Sequence, residues 1–223
     1  MLENISVIAF DIDGTVYSSF SLYVRIVPYI LRNLKFFIHY KRVRKILHRT
    51  APLPDFFEYQ ARLLAQEIGY SVENAKADIK RIVYDGLRPY LEKTKPFPGV
   101  EDAIKSFKDA GYTIAILSDF PPEQKGNLWN LAGYCDLVLG TESIGALKPS
   151  KYPFGIMARA LEVKEAQILY VGNSVKYDVF GAKNAGMKAA YKMPFWRVLL
   201  RKPLKNADIN FSSYRQLKNI VLK

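Results

Sequence analysis

The stretch VIAFDIDGTVYSS, Val7 to Ser19, decides how this chain folds. Its first four residues are apolar and suit a strand buried on both faces. The run then ends in two aspartates one residue apart, Asp11 and Asp13, followed by Gly14 and Thr15. Carboxylates that close repel, so a pair at the end of a buried strand needs a chemical reason. On extended backbone, residues i and i+2 project the same way, so Asp11 and Asp13 face one site.

Working outward, short apolar runs recur: ISVIAF, YTIAILS, CDLVLG, ILYVGN and MKAAYK. Between them lie helical patterns, GVEDAIKSFKDAG, PPEQKGNLWNLAG, YPFGIMARALEV and VKYDVFGAKNAG. Three of these four end in glycine, the usual residue just past a helix C-terminus. Strands alternating with helices predict an α/β fold: a Rossmann-like parallel sheet with helices on both faces. ADINFSS and YRQLKNIVL add an edge strand and a closing helix.

Residues 17–90 break this rhythm. They contain helical segments over roughly 22–48, 55–69 and 72–86 and no clear strand, and KTKPFPGV (93–100) reads as a return linker. The expected organisation is an α/β core, residues 1–16 and 91–223, interrupted by an all-helical insert over 17–90.

A chain of 223 residues, 49% hydrophobic, is long enough for one large domain with a modest insertion. Cys135 is the single cysteine, so no intramolecular disulfide forms. MLENISVIAF lacks the basic start of a signal peptide, which makes the cytoplasm the expected location. The net charge of +12 is local: the eight charges between Asp13 and Asp55 are all basic, as are the seven between Asp178 and Asp208. Such local charge favours anionic partners.

Ligands of parallel α/β sheets bind beyond the carboxyl ends of the strands. The first strand delivers Asp11 and Asp13, TIAILSD delivers Ser118 and Asp119, and ILYVGNSVKYD delivers Asn173 and then Asp178. GALKPSKYPFG places Lys148 in a proline-limited loop. Carboxylates, a hydroxyl, a lysine and a glycine-permitted turn converge on one edge.

These residues resemble the haloacid dehalogenase-like hydrolase superfamily. DIDGT is similar to its first motif, ILSD to its second, the Lys148–Pro149 region to its third and GNSVKYD to its fourth, in the same order. The resemblance runs from residue 4 to about 191, and the insert between the first two motifs resembles the helical cap of the superfamily.

The resemblance implies that Asp11 attacks phosphorus and forms an aspartyl-phosphate, while Asp13 protonates the leaving oxygen and then activates water. Crowding would raise the proton affinity of one carboxyl, Asp13, while a cation and phosphate contacts keep Asp11 ionised. Lys148 and Ser118 would meet the phosphoryl oxygens, with the backbone around Ile12–Gly14, Thr15 and Asp119 beside the phosphate. A hard cation, Mg²⁺, is expected on Asp11, the Asp13 carbonyl, Asn173 and Asp178, because every donor is an oxygen. The implied activity is a Mg²⁺-dependent phosphatase acting on a small phosphorylated metabolite. A phosphotransferase or mutase would use the same intermediate. Haloacid dehalogenation is disfavoured, because breaking a carbon–halogen bond needs no leaving-group acid such as Asp13.

Two departures stand out. Asn173 occupies a position where the family usually has aspartate, which predicts a weaker metal site. Asp119 follows Ser118 where asparagine is frequent, adding negative charge near the phosphate.

In SLYVRIVPYILRNLKFFIHYKRVRKIL the spacing puts Arg25, Arg32, Lys35, His39 and Arg42 on one helical face, opposite Ile26, Ile30, Leu34 and Phe37. That face is either solvated or attracts a multiply anionic substrate or an anionic membrane. PFWRVLLRKPLK (194–205) repeats the basic-aromatic theme, so a weakly active module docking peripherally on membranes is the reading from another class. No nucleic-acid recognition module is present.

Overall fold

The computed structural model describes residues 4–223. Six parallel strands form one sheet: β1 (Val7–Phe10), β2 (Thr113–Ser118), β3 (Leu137–Gly140), β4 (Ile168–Gly172), β5 (Lys188–Lys192) and β6 (Ile209–Phe211). Their order is β3-β2-β1-β4-β5-β6. β1 therefore lies in the middle, with Phe10 opposite Ile116 on one side and Val171 on the other. The chain winds outward from β1 in both directions, which opens a crevice at the carboxyl ends of β1 and β4.

Alternation along the strands builds two cores. Ile8, Phe10, Ile114, Ile116, Leu169 and Val171 face the helices Val100–Asp109 and Tyr214–Val221. Val7, Ala9, Ala115, Leu117 and Tyr170 face the helix Lys151–Ala160, through Phe154, Met157 and Ala158. All four residues of β1 are fully buried, as a central parallel strand requires.

The insert leaves the sheet just after Val16 and returns at Phe97, whose amide donates to Val16 O at 2.8 Å. Its helices are α1 (Ser19–Arg32), α2 (Leu34–Leu47), α3 (Phe56–Ile68), α4 (Val72–Asp78) and α5 (Gly86–Glu92), with a π-helical segment, Ile79–Asp85, joining the last two. They pack their own cluster, including Phe36, Tyr40, Val43, Leu64, Ile82 and Val83. Arg44 ties this insert to the core by an ion pair with Glu142, buried on both sides, and the Tyr84 hydroxyl donates to the other Glu142 oxygen at 2.7 Å.

Two expectations from the sequence change here. The basic helix over 22–48 is two helices, because Asn33 leaves helical geometry and gives its side-chain and backbone N–H groups to Tyr29 O at 3.0 and 3.2 Å. Arg25 and Arg32 are thus separated from Lys35, His39 and Arg42, and Leu34 is exposed instead of core-facing. PPEQKGNLWNLAG is two 3₁₀ turns, Pro122–Lys125 and Leu128–Tyr134, with Leu128, Trp129 and Asn130 at positive φ. Gly126 and the three left-handed residues after it interrupt the continuous ladder of an α-helix. No helix among the described residues is long and apolar enough to cross a membrane.

Candidate active site

β1 ends at Phe10, and Asp11 stays anchored beside β4 through its amide, which donates to Val171 O at 2.9 Å. The chain then turns: the amides of Thr15 and Val16 both donate to Ile12 O, while the Ile12 side chain is fully buried. Gly14 completes the turn at φ 89°, and a Cβ there would lie 2.3 Å from Asn173 Nδ2. Only glycine tolerates both the left-handed backbone and that approach.

Lys148 is the centre of the site. It is buried, and its Nζ donates to Asp11 Oδ1 at 2.7 Å, Asp178 Oδ1 at 2.7 Å and Tyr170 OH at 3.0 Å. The two carboxylates hold its ammonium well above the usual lysine range, against the opposing effect of burial. Asp178 Oδ2 accepts the amides of Asn173 at 3.1 Å and Ser174 at 2.8 Å. Gly172 permits this approach, since a Cβ on it would lie 2.3 Å from Asp178 Cβ.

Several expected contacts are redirected. Asp178 Oδ1 accepts from Lys148 and keeps a lone pair, and Asn173 Oδ1 lies 3.2 Å from the Thr15 hydroxyl, so both fourth-motif side chains keep oxygen for a cation. Thr15 spends its amide on Ile12 and its hydroxyl on Asp11 Oδ2 at 2.8 Å; it orients Asp11. Asp119, expected beside the phosphate, accepts from the Thr141 hydroxyl at 2.8 Å and from the Lys148 amide at 3.1 Å. Its carboxylate is used to hold the Lys148 loop against β2.

Asp13 faces a different set. Oδ1 accepts from the Tyr17 hydroxyl, and Oδ2 lies 3.2 Å from Lys125 Nζ and 3.4 Å from Ser118 Oγ. Burial alone would raise its proton affinity, but the Lys125 ammonium and the Tyr17 hydroxyl outweigh it and hold Asp13 below the usual carboxylate range. Asp11 goes the other way: burial and the Asp178 charge push it up to about 7 in spite of Lys148. The division expected from the sequence concerns the site with cation and phosphate bound; among the protein groups alone, Lys125 helps keep the charge on Asp13, a role the sequence did not reveal.

Lys125 has a side chain with no exposure and also lies 3.4 Å from Ser118 Oγ. Its one sequence signal is a lysine seven residues beyond the hydroxyl that closes β2. Lys125→Met keeps the stem and removes the charge. It is expected to lower kcat about 10²-fold and to raise the proton affinity of Asp13, which shifts the pH–rate profile upward. Steady-state kinetics across pH check this, and an unchanged profile would reduce Lys125 to packing.

The oxygens of Asp11, the Asp13 carbonyl and Asn173 suit a hard cation. Asp11 is buried beside Asp178, and a cation there would add to the counter-charge of Lys148. Among the described residues no three acidic, histidine or cysteine side chains form a cage.

Asp13, Asp119 and Lys125 open into a cavity of about 680 Å³ between core and insert. A buried ammonium clasped by carboxylates at the switch point of a parallel sheet, beside a half-open cavity lined by Asp13 and Lys125, is the frame of an α/β hydrolytic enzyme. The chain belongs to the haloacid dehalogenase-like hydrolases, whose family model matches residues 5–186. It is 26% identical over 200 residues to a phosphoglycolate phosphatase of Aquifex aeolicus, covering 82% of this chain and 83% of that one. Phosphoglycolate phosphatases of Vibrio vulnificus match over 40% of their length. Among solved structures, a HAD phosphatase from Thermococcus onnurineus superimposes with a TM-score of 0.66 at 21% identity, covering 97% of this chain and 98% of that one. L-2-haloacid dehalogenase from Xanthobacter autotrophicus gives 0.66 at 18%, covering 98% of each. The fold is shared equally with a phosphatase and a dehalogenase, so it does not choose between their chemistries.

Proposed function

We propose that this hydrolase is a Mg²⁺-dependent phosphatase that cleaves a phosphomonoester by way of a phosphoryl group carried on Asp11. The observation that carries the reading is Asp13: an acid two residues from the buried carboxylate, lining the cavity where a leaving oxygen would sit. A carbon–halogen bond needs no such group. The name of the Aquifex relative points the same way.

An Asp11 oxygen attacks phosphorus, the bond from phosphorus to the alcohol oxygen breaks, and Asp13 passes a proton to that oxygen. Water then attacks phosphorus and gives its proton to Asp13, and the bond to Asp11 breaks to release phosphate. Lys148 holds Asp11 in line, while Ser118 and Lys125 meet the negative charge that spreads over the phosphoryl oxygens. A bound phosphate draws Lys125 from Asp13 and adds negative charge beside it. The acid therefore gains its proton with substrate present, which reconciles its low proton affinity in the free site with its role. Asp178 acts through Lys148, and Thr15 through Asp11.

Phosphatases of this family are generally metal-dependent. Asp11, the Asp13 carbonyl, Asn173 and Asp178 would hold Mg²⁺, which would supply charge neutralisation between the attacking carboxylate and the phosphate. Residues 17–90 act as a cap over the core formed by 1–16 and 91–223; residues 1–3 lie outside the described ones. The test is phosphate release from an aryl phosphate with Mg²⁺ or with EDTA. Loss of at least about 10²-fold in EDTA, reversed by added Mg²⁺, is expected; release indifferent to EDTA would sink the metal assignment.

A further inference from the structure

The cavity above Asp13 is walled mainly by apolar side chains, among them Leu22, Ile26, Ile30, Phe37, Leu87 and Phe120. Its most buried polar wall groups are already engaged. Arg44 is paired with Glu142, bonded to Gln60 Oε1 at 3.2 Å and laid over the Phe120 ring at 4.6 Å. Gln124 Nε2 donates to Val83 O at 3.0 Å and Tyr84 O at 2.9 Å. His48 Nδ1 donates to Lys148 O at 2.6 Å, and Asp119 and Lys125 are committed as described. The lining cation left over, Lys41, is exposed on α2.

Apart from Lys41, the cation of the basic insert that lines the cavity, Arg44, does not offer free charge to the substrate. His39 and Arg42 turn to Glu67, at 3.2 and 2.7 Å, and Arg25 turns to Lys93 O at 2.8 Å. A carboxylate or second phosphate on the leaving alcohol would enter the cavity and find its buried cations already paired. A hydrocarbon group would replace water along the aliphatic and aromatic walls and gain by burial.

We infer that the alcohol half of the substrate is apolar, an alkyl chain or aromatic group held between α1, α2, α5 and the Phe120 loop. The inference rests on the phosphatase reading and adds the substrate class to it.

The test uses the intact protein with Mg²⁺ and ethyl, butyl, hexyl and octyl phosphates, with 2-phosphoglycolate alongside. Leaving-group acidity is nearly constant along the alkyl series, so the trend in kcat/KM reports burial. It is expected to rise about twofold to fourfold per added CH₂ until the cavity is filled. Octyl phosphate should exceed 2-phosphoglycolate by at least about tenfold. Ile30→Lys puts a charge into the wall and is expected to lower kcat/KM for octyl phosphate about tenfold, with ethyl phosphate, which reports an intact fold, within about twofold. A flat or falling series in the wild-type protein, or preference for 2-phosphoglycolate, would overturn the inference while leaving the phosphatase reading in place. Absence of Asp11-dependent phosphate release from every compound would overturn both.

Discussion

Replacing Asp11 by asparagine is expected to reduce phosphate release by at least about 10⁴-fold, because the amide cannot form the acyl-phosphate bond on which both half-reactions depend. The same substitution should stabilise the metal-free protein at alkaline pH. Asp11 is buried beside Asp178, and its proton affinity rises from an ordinary 3.8 to about 7. Between those values the folded chain binds the proton more tightly than the unfolded chain. The contribution is thus fully present below pH 3.8 and is lost as pH rises through 7. Asparagine removes that loss. In EDTA the melting temperature of Asp11→Asn should exceed that of the parent at pH 8 and approach it at pH 5. A variant both inactive and less stable at pH 8 would mean that the Lys148 contact outweighs the crowding.

Lys148→Met carries the second large effect. The ammonium is shared at 2.7 Å by two buried carboxylates, so removing it leaves Asp11 and Asp178 facing each other without a counter-charge. Breaking such a buried cluster costs about 3–5 kcal/mol, read as a lower urea midpoint. The loss should be smaller at pH 5, where one of the crowded carboxyls takes up a proton, and larger at pH 8. Activity should fall about 10³-fold, through misplacement of Asp11 and loss of the fixed positive charge. A stable variant with only a modest kinetic defect would show that Mg²⁺ alone can replace the lysine.

Much of the fold is legible in the sequence because burial on both faces leaves an unmistakable mark. VIAF, TIAILS and ILYVG are nearly continuous apolar runs, and polar groups beyond such runs fall at one sheet edge whatever the loops do. Asp11, Ser118 and Asp178 are found in that way. Hydrogen-bond direction is harder to read. Asp119, Thr15 and Asp178 lie at the expected place, yet each gives an oxygen to a protein partner: Thr141, Asp11 and Lys148, respectively. Lys125 escapes notice because it lies in a 3₁₀ turn with no periodicity, although its ammonium is the largest influence lowering the proton affinity of Asp13. The basic insert misleads for a related reason. Its partners, Glu67 and Glu142, are 25 and 98 residues from Arg42 and Arg44, so a local charge count cannot show that those two are neutralised.

In the proposed mechanism both half-reactions pass through a phosphoryl group on Asp11. Asp13→Asn should leave phosphorylation by an activated aryl phosphate possible, since that leaving group needs little help from an acid, while slowing the attack of water. Acid quenching of this variant during turnover, followed by mass spectrometry of its peptides, should find the mass of a phosphoryl group on the peptide that contains Asp11. Hydroxylamine should remove it, and Asp11→Asn should never acquire it. Turnover with no labelled peptide, or with the label on another residue, would contradict the mechanism.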